Sequence, residues 1–226
     1  MNASRRFRRV GIAFALCFAT YGVACAQDSE WHVLQPGDYH GGEVPTEPGS
    51  GWLALKVVDG KWHLVPATVR ASAVKDPVSF DPADRSGMRI ETDVQDSIAL
   101  LRAPGLAAGK VDTPNLHFKN SAWLLSYGLS MSVALKGRPY RFEVRDKALY
   151  LRLGSTSQRL DDDVGSDGTD DSLALFWAGD LDGDGALDFL LQGTGSNSTN
   201  LCLYLSRSAA PGDLVGAAGC LDASGC

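Results

Sequence analysis

The 226-residue chain carries 21 Lys+Arg against 27 Asp+Glu, a formal net charge of −6, with a sequence pI near 5.1. That balance argues against nucleic acid and anionic lipid surfaces as partners, because both select basic faces. The acids are 22 aspartates and only five glutamates. Aspartate suits turns and hard-cation loops where glutamate suits helices, so the skew points to a β and loop protein.

In chain order, the first stretch is "MNASRRFRRVGIAFALCFATYGVACAQDSE": four arginines, an apolar run from Val10 to about Ala24, then Ala24-Cys25-Ala26. A basic start, a short apolar middle and small residues at the −3 and −1 positions form a secretory leader, expected to span residues 1–26 and to be removed. The apolar run is too short for a comfortable transmembrane helix, and none is expected after removal. Loss of Arg5, Arg6, Arg8 and Arg9 lowers Lys+Arg from 21 to 17 against 27 acids, a net charge of −10. The expected location is periplasmic or secreted; the alternative is a lipoprotein anchored through Cys25, since "GVAC" also places small residues before a cysteine. About 200 residues remain, enough to bury near 70 % of the unfolded surface.

Residues 27–50, rich in Gly, Pro and polar residues, read as an irregular N-terminal arm with no core face of its own. A β-rich region is expected over 51–135. It opens with strands near 52–58 and 61–70 around Asp59-Gly60, the best short-range hairpin signal in the chain, and continues through "MRIETDV", "SIALLRA" and "SAWLLSYGLSMSVAL". A second β-rich region is expected over 136–226. There Tyr140, Phe142 and Val144 alternate up to a turn at Asp146-Lys147, and Leu149, Leu151 and Leu153 alternate after it. The run 161–171 holds six aspartates in eleven positions and reads as a solvated loop, a second ion site being the sharper alternative. Beyond it, "SLALFWA", "LDFLLQG" and "NLCLYLS" are short apolar strands. The fold class is therefore mainly β, in antiparallel, sandwich-like sheets, with no sustained internal repeat. Cys202, Cys220 and Cys226 follow the leader; in an export compartment one disulfide is expected among them, with three pairings open.

Between two of those strands lies "AGDLDGDGALDFLL". Numbered from Asp180, carboxylates fall at positions one, three, five and nine: Asp180, Asp182, Asp184 and Asp188. Ala186 at position seven can offer its carbonyl, and Gly185 at position six permits a sharp turn. Carboxylates about 4 Å apart repel by roughly 4 kcal/mol per pair at an effective dielectric near 20, so a cation is expected among them. Hard oxygen ligands in this number suit Ca²⁺ better than Zn²⁺ or Mg²⁺. An EF-hand is excluded: position twelve is Leu191 rather than glutamate, and both flanks are strand-like.

The segment "LALFWAGDLDGDGALDFLLQG" resembles an FG-GAP/VCBS-type repeat, the calcium-loop β-hairpin of integrin propellers and of many bacterial secreted proteins. One copy is present, over roughly residues 172–206. The chain as a whole resembles bacterial exported proteins that carry one such loop near their end. The resemblance implies calcium ligands at Asp180, Asp182, Asp184 and Asp188, with the carbonyl of Ala186.

No catalytic constellation is evident. His32, His63 and His117 are isolated, His40 and Glu43 sit on the arm, and Trp52, Trp62, Trp123 and Trp177 lie in strand-like runs as core residues. The expected function is an exported, calcium-binding, non-enzymatic interaction or envelope module whose partner is a protein or glycan of the cell envelope. The alternatives are a secreted hydrolase drawing on Glu91, Asp93 or Asp96, recognisable by a cleft with two facing carboxylates, and a carbohydrate-binding module, recognisable by a flat tryptophan strip.

Overall fold

A computed structural model describes residues 32–114, 123–125, 130–146, 148–161 and 172–224. The expected leader, His117, most of the acidic run 161–171 and Cys226 lie outside them. The described chain is all-β apart from one 3₁₀ turn, η1 (Ser206–Ser208).

The strands are β1 (Val33–Leu34), β2 (Gly37–Tyr39), β3 (Trp52–Val58), β4 (Lys61–Ala67), β5 (Val69–Val74), β6 (Gly87–Thr92), β7 (Ala99–Leu101), β8 (Gly109–Lys110) and β9 (Trp123–Leu125). There follow β10 (Ser130–Leu135), β11 (Arg138–Arg145), β12 (Ala148–Leu153), β13 (Thr156–Asp161), β14 (Ser172–Gly179), β15 (Asp188–Thr194), β16 (Ser198–Leu205) and β17 (Gly216–Ser224). They form four antiparallel sheets, ordered β1-β7-β3-β4-β8, β2-β6-β5, β10-β11-β12-β13 and β17-β16-β15-β14-β9.

Turn chemistry sets the hairpins. Asp59 and Gly60 take φ of 49° and 74° between the paired Val58 and Lys61, the two left-handed residues of a type I′ turn. Lys136 and Gly137, at 48° and 78°, do the same between Leu135 and Arg138. The alternation from Tyr140 to Leu153 becomes β11 and β12 in the register Tyr140↔Leu153, Phe142↔Leu151, Val144↔Leu149. The run expected as one strand over 61–70 turns a corner at Thr68, whose N–H donates to Asp93 Oδ1 at 2.8 Å, and β5 joins a different sheet from β4.

The sheet β17-β16-β15-β14-β9 is central. On one face Leu173, Leu175, Phe189 and Leu191 pack with Tyr140, Phe142, Val144, Leu149 and Leu151 of the β10–β13 sheet. On the other, Trp177, Leu190, Leu201, Leu203 and Leu221 pack with Leu34, Trp52, Leu55, Leu100 and Leu101. Burial on both faces explains why β14 and β15 read as continuous apolar runs rather than alternating ones.

The stretch read as an irregular surface arm differs from that reading. Val33, Leu34, Tyr39 and Val44 are buried in the core, β1 pairs with β7, and His32 lies against Gly219 of β17. Its Gly and Pro content gave no periodic signal because only two or three residues at a time are in strand. The expected boundary at 135/136 falls inside the β10–β11 turn.

Cys202 and Cys220 face one another across β16 and β17, their Cα atoms 4.0 Å apart, and are joined as a disulfide with a sequence separation of 18. Closing a loop of that length stabilises by about 3 kcal/mol in the chain-entropy model. The Cys202→Ala/Cys220→Ala double variant is therefore expected to melt roughly 6–12 °C below the oxidised wild type, measured by circular dichroism. An unchanged midpoint would show that β17 is held by the ladder alone.

Candidate metal centre

The loop between β14 and β15 lies at one end of the central sheet, where five segments meet. Gly179 ends β14 because nothing larger fits: a Cβ there would stand 2.4 Å from the Trp177 ring and 2.8 Å from the Asp112 carbonyl. That close approach lets Asp180 N–H donate to Asp112 O at 2.8 Å, tying residue 112 to the loop. Gly183 and Gly185 take φ of 76° and 84°, so the chain folds back on itself within the acidic stretch.

Three of the predicted ligands converge. Asp180, Asp182 and Asp188 each place a carboxylate oxygen within 4.8 Å of the others. The side chains of Asp180 and Asp182 are 1 % and 0 % exposed, and Asp188 is fully buried. Asp184 is outside this trio: its Oδ1 accepts the Ala186 N–H at 2.7 Å and its Oδ2 lies 2.7 Å from Ser206 Oγ. Ala186 is thereby fixed in the turn through its own N–H.

Each buried carboxylate is supplied with donors from elsewhere in the chain. Asp188 Oδ2 accepts the Leu181 N–H at 2.7 Å, and its Oδ1 accepts the Ser206 N–H at 2.8 Å. Asp182 accepts the Asp184 N–H at 3.1 Å and pairs with the Arg207 guanidinium of η1. Gly105, at φ 88°, leaves the space that guanidinium occupies. Asp180 Oδ2 accepts the Gly185 N–H at 3.0 Å and the Lys136 ammonium at 2.6 Å. Among the described residues Asp180 Oδ1, also buried, has no hydrogen-bond partner.

Lys136 and Arg207 are the residues that the motif alone could not reveal. They stand 44 and 25 positions from their carboxylate partners, and neither lies in a recognisable pattern. Asp112 belongs with them, 3.4 Å from Lys136 and 3.6 Å from Lys110. Five carboxylates (112, 180, 182, 184 and 188) thus meet three cationic side chains (110, 136 and 207), leaving two negative charges when all are ionised. The remainder equals the charge of one divalent ion.

Several of the other sequence candidates are engaged elsewhere in the fold. His40 Nδ1 and Asp76 Oδ2 are 2.6 Å apart, and Glu43 accepts the His40 and Ser224 N–H groups, so His40 and Glu43 do not converge as ligands. His32 donates to Arg102 O and His63 to Lys61 O. Asp93 is held below the ordinary carboxylate range by the Thr68 N–H at its corner. Trp52 and Trp177 are buried, and Trp62 packs edge-on against Trp177 at 6.1 Å. Among the described residues no helix is long and apolar enough to cross a membrane. Comparison with known families, curated proteins and solved structures finds no match to this chain.

Burial pushes the Asp188 carboxyl up to about 7, against the Ser206 and Leu181 N–H groups that lower it. A folded value above the unfolded one means that the folded state binds the extra proton. The associated stability is complete below the ordinary carboxylate range and is lost as pH rises through about 7. In chelator, the wild-type melting temperature is therefore expected to fall between about pH 5 and pH 8, and Asp188→Asn to flatten that slope, whatever its baseline cost. Parallel slopes in scanning calorimetry would show Asp188 to be ionised throughout.

Proposed function

We propose that this chain is an exported β-domain braced by calcium, acting as a non-enzymatic interaction or envelope module toward a protein or glycan of the cell surface. The observation that carries the metal reading is Asp180 Oδ1, buried and unpartnered beside two further buried carboxylates. Lys136 compensates the carboxylate through Oδ2, but a buried oxygen left without a donor still costs on the order of 1–3 kcal/mol, which a cation seated at Oδ1 would recover. The donor set is all hard oxygen, which suits calcium above softer ions. Asp180, Asp182 and Asp188 would hold the ion, with Asp184 and the Ala186 carbonyl as further oxygen donors of the same loop. The resemblance of the loop to an FG-GAP/VCBS-type repeat supports the same ligand set.

Calcium here would serve the fold rather than a reaction, joining the β14–β15 loop to neighbouring segments at one end of the central sheet. Export rests on the basic, apolar and small-residue pattern of residues 1–26, and a disulfide between Cys202 and Cys220 accords with an oxidising compartment. Against a hydrolase, Asp93, one of the three acids it would draw on, is engaged at the Thr68 corner. The module reading is favoured over a tryptophan-strip glycan binder because Trp52 and Trp177 are interior.

A second reading has its own observation. Lys136 and Arg207 already pair with Asp180 and Asp182, so the loop can be a self-neutralised acidic turn that needs no ion. The two readings separate in a melting experiment. With an affinity on the order of 10 μM, 1 mM free calcium stabilises by about 2.7 kcal/mol, or roughly 5–11 °C, relative to chelator. Asp180→Asn is expected to erase that increment, and Asp167→Ala, in the acidic run outside the described residues, to leave it intact. The increment is expected to shrink on acidification, since protons compete for the ligands. Coincident curves with calcium and chelator, for protein shown metal-free by elemental analysis, would establish the self-neutralised turn.

A further inference from the structure

Resting on the calcium reading, we propose that Lys136 is a tethered counter-ion: its ammonium occupies Asp180 in the metal-free protein and must withdraw toward Asp112 when a divalent cation binds. The ammonium stands 2.6 Å from Asp180 Oδ2 and 3.4 Å from Asp112 Oδ2, so a second acceptor lies within a small side-chain movement of the first. A groove of about 380 Å³, lined in part by Lys110, Asp112, Lys136, Asp180 and Asp182, opens beside it and gives the side chain room to move. The other Asp180 oxygen is buried without a partner, so the lysine satisfies only half of the carboxylate.

The backbone points the same way. Lys136 is the first central residue of a type I′ turn, at φ 48°, where Asn, Asp or Gly is the ordinary occupant and a long side chain is strained. A lysine held there has its use in the side chain, and the turn aims that side chain across Gly185, whose Cβ position lies 3.9 Å from Lys136 Cδ. An ammonium ion and a calcium ion sharing one carboxylate repel, so each weakens the other's hold on it. Calcium binding is thereby coupled to the β10–β11 turn.

The test is calorimetric titration of the whole chain with calcium chloride, with melting in chelator alongside, for the wild type, Lys136→Met and Lys110→Met. Both substitutions remove one positive charge, but among the described residues Lys110 reaches only Asp112, at 3.6 Å. Lys136→Met is expected to bind calcium about tenfold tighter than wild type and to melt lower in chelator, with Lys110→Met near wild type in both. Lys136→Asn, which suits the turn, supplies the same readout if the Met variant does not fold. Calcium binding by the Met variant alone would also support the proposal, as a lysine that keeps the ion out. Calcium binding by wild type that neither substitution changes, or that both change equally, would overturn the proposal and leave the calcium reading standing. No binding by any of the proteins would overturn the calcium reading, and the proposal with it.

Discussion

Three carboxylates buried at the end of one sheet, with an oxygen of each within 4.8 Å of the others, set the constraint that the surrounding structure answers. Repulsion among such groups amounts to roughly 4 kcal/mol per pair at an effective dielectric near 20, a sizeable part of the net stability of a domain. The neighbouring features follow from it. The loop turns its own Leu181 and Gly185 N–H groups inward, the β16–η1 junction adds the Ser206 N–H, and two cationic side chains arrive from distant hairpins and loops. Gly105 and Gly179 are open positions that let other groups reach the cluster.

The cluster matters beyond its loop because of where it sits. β14 and β15 are apolar on both faces, so they contribute to both hydrophobic clusters of the fold. Charge balance in eight residues of loop therefore bears on two cores at once. The shift in β14–β15 register between Leu175 and Trp177 turns Trp177 toward the face opposite Leu175, placing the largest interior side chain of this hairpin directly before the acidic turn.

Much of this was legible in the chain, and the reasons differ by element. Alternation from Tyr140 to Leu153 specifies face and register together, because a one-residue slip would expose every apolar side chain. Asp59-Gly60 is legible because the type I′ turn admits few residue pairs. The acidic cluster was visible for a similar local reason: its spacing is short and a glycine marks the turn. Lys136, Arg207 and Asp112 were not visible, since pairing across 25 to 68 positions leaves no periodic trace. The choice of Cys202–Cys220 among three pairings was hidden for the same reason, being fixed by the β16–β17 register. Val33 and Leu34 were passed over because two residues cannot show a period.

One contact in the fold concerns how the molecule is held from outside. His32, the first described residue, rests on Gly219 of the last strand, and Glu43 accepts the N–H of Ser224, the last described residue. The path of the chain is thus nearly a closed ring, and whatever continues from either end departs from the same region. A tether at one end and a cargo at the other would sit side by side there, so tension between them would act on the seam where β1 and Glu43 meet β17 and on the core residues Leu34 and Leu221 beneath it, while the second core, between the central sheet and β10–β13, remained outside the line of force.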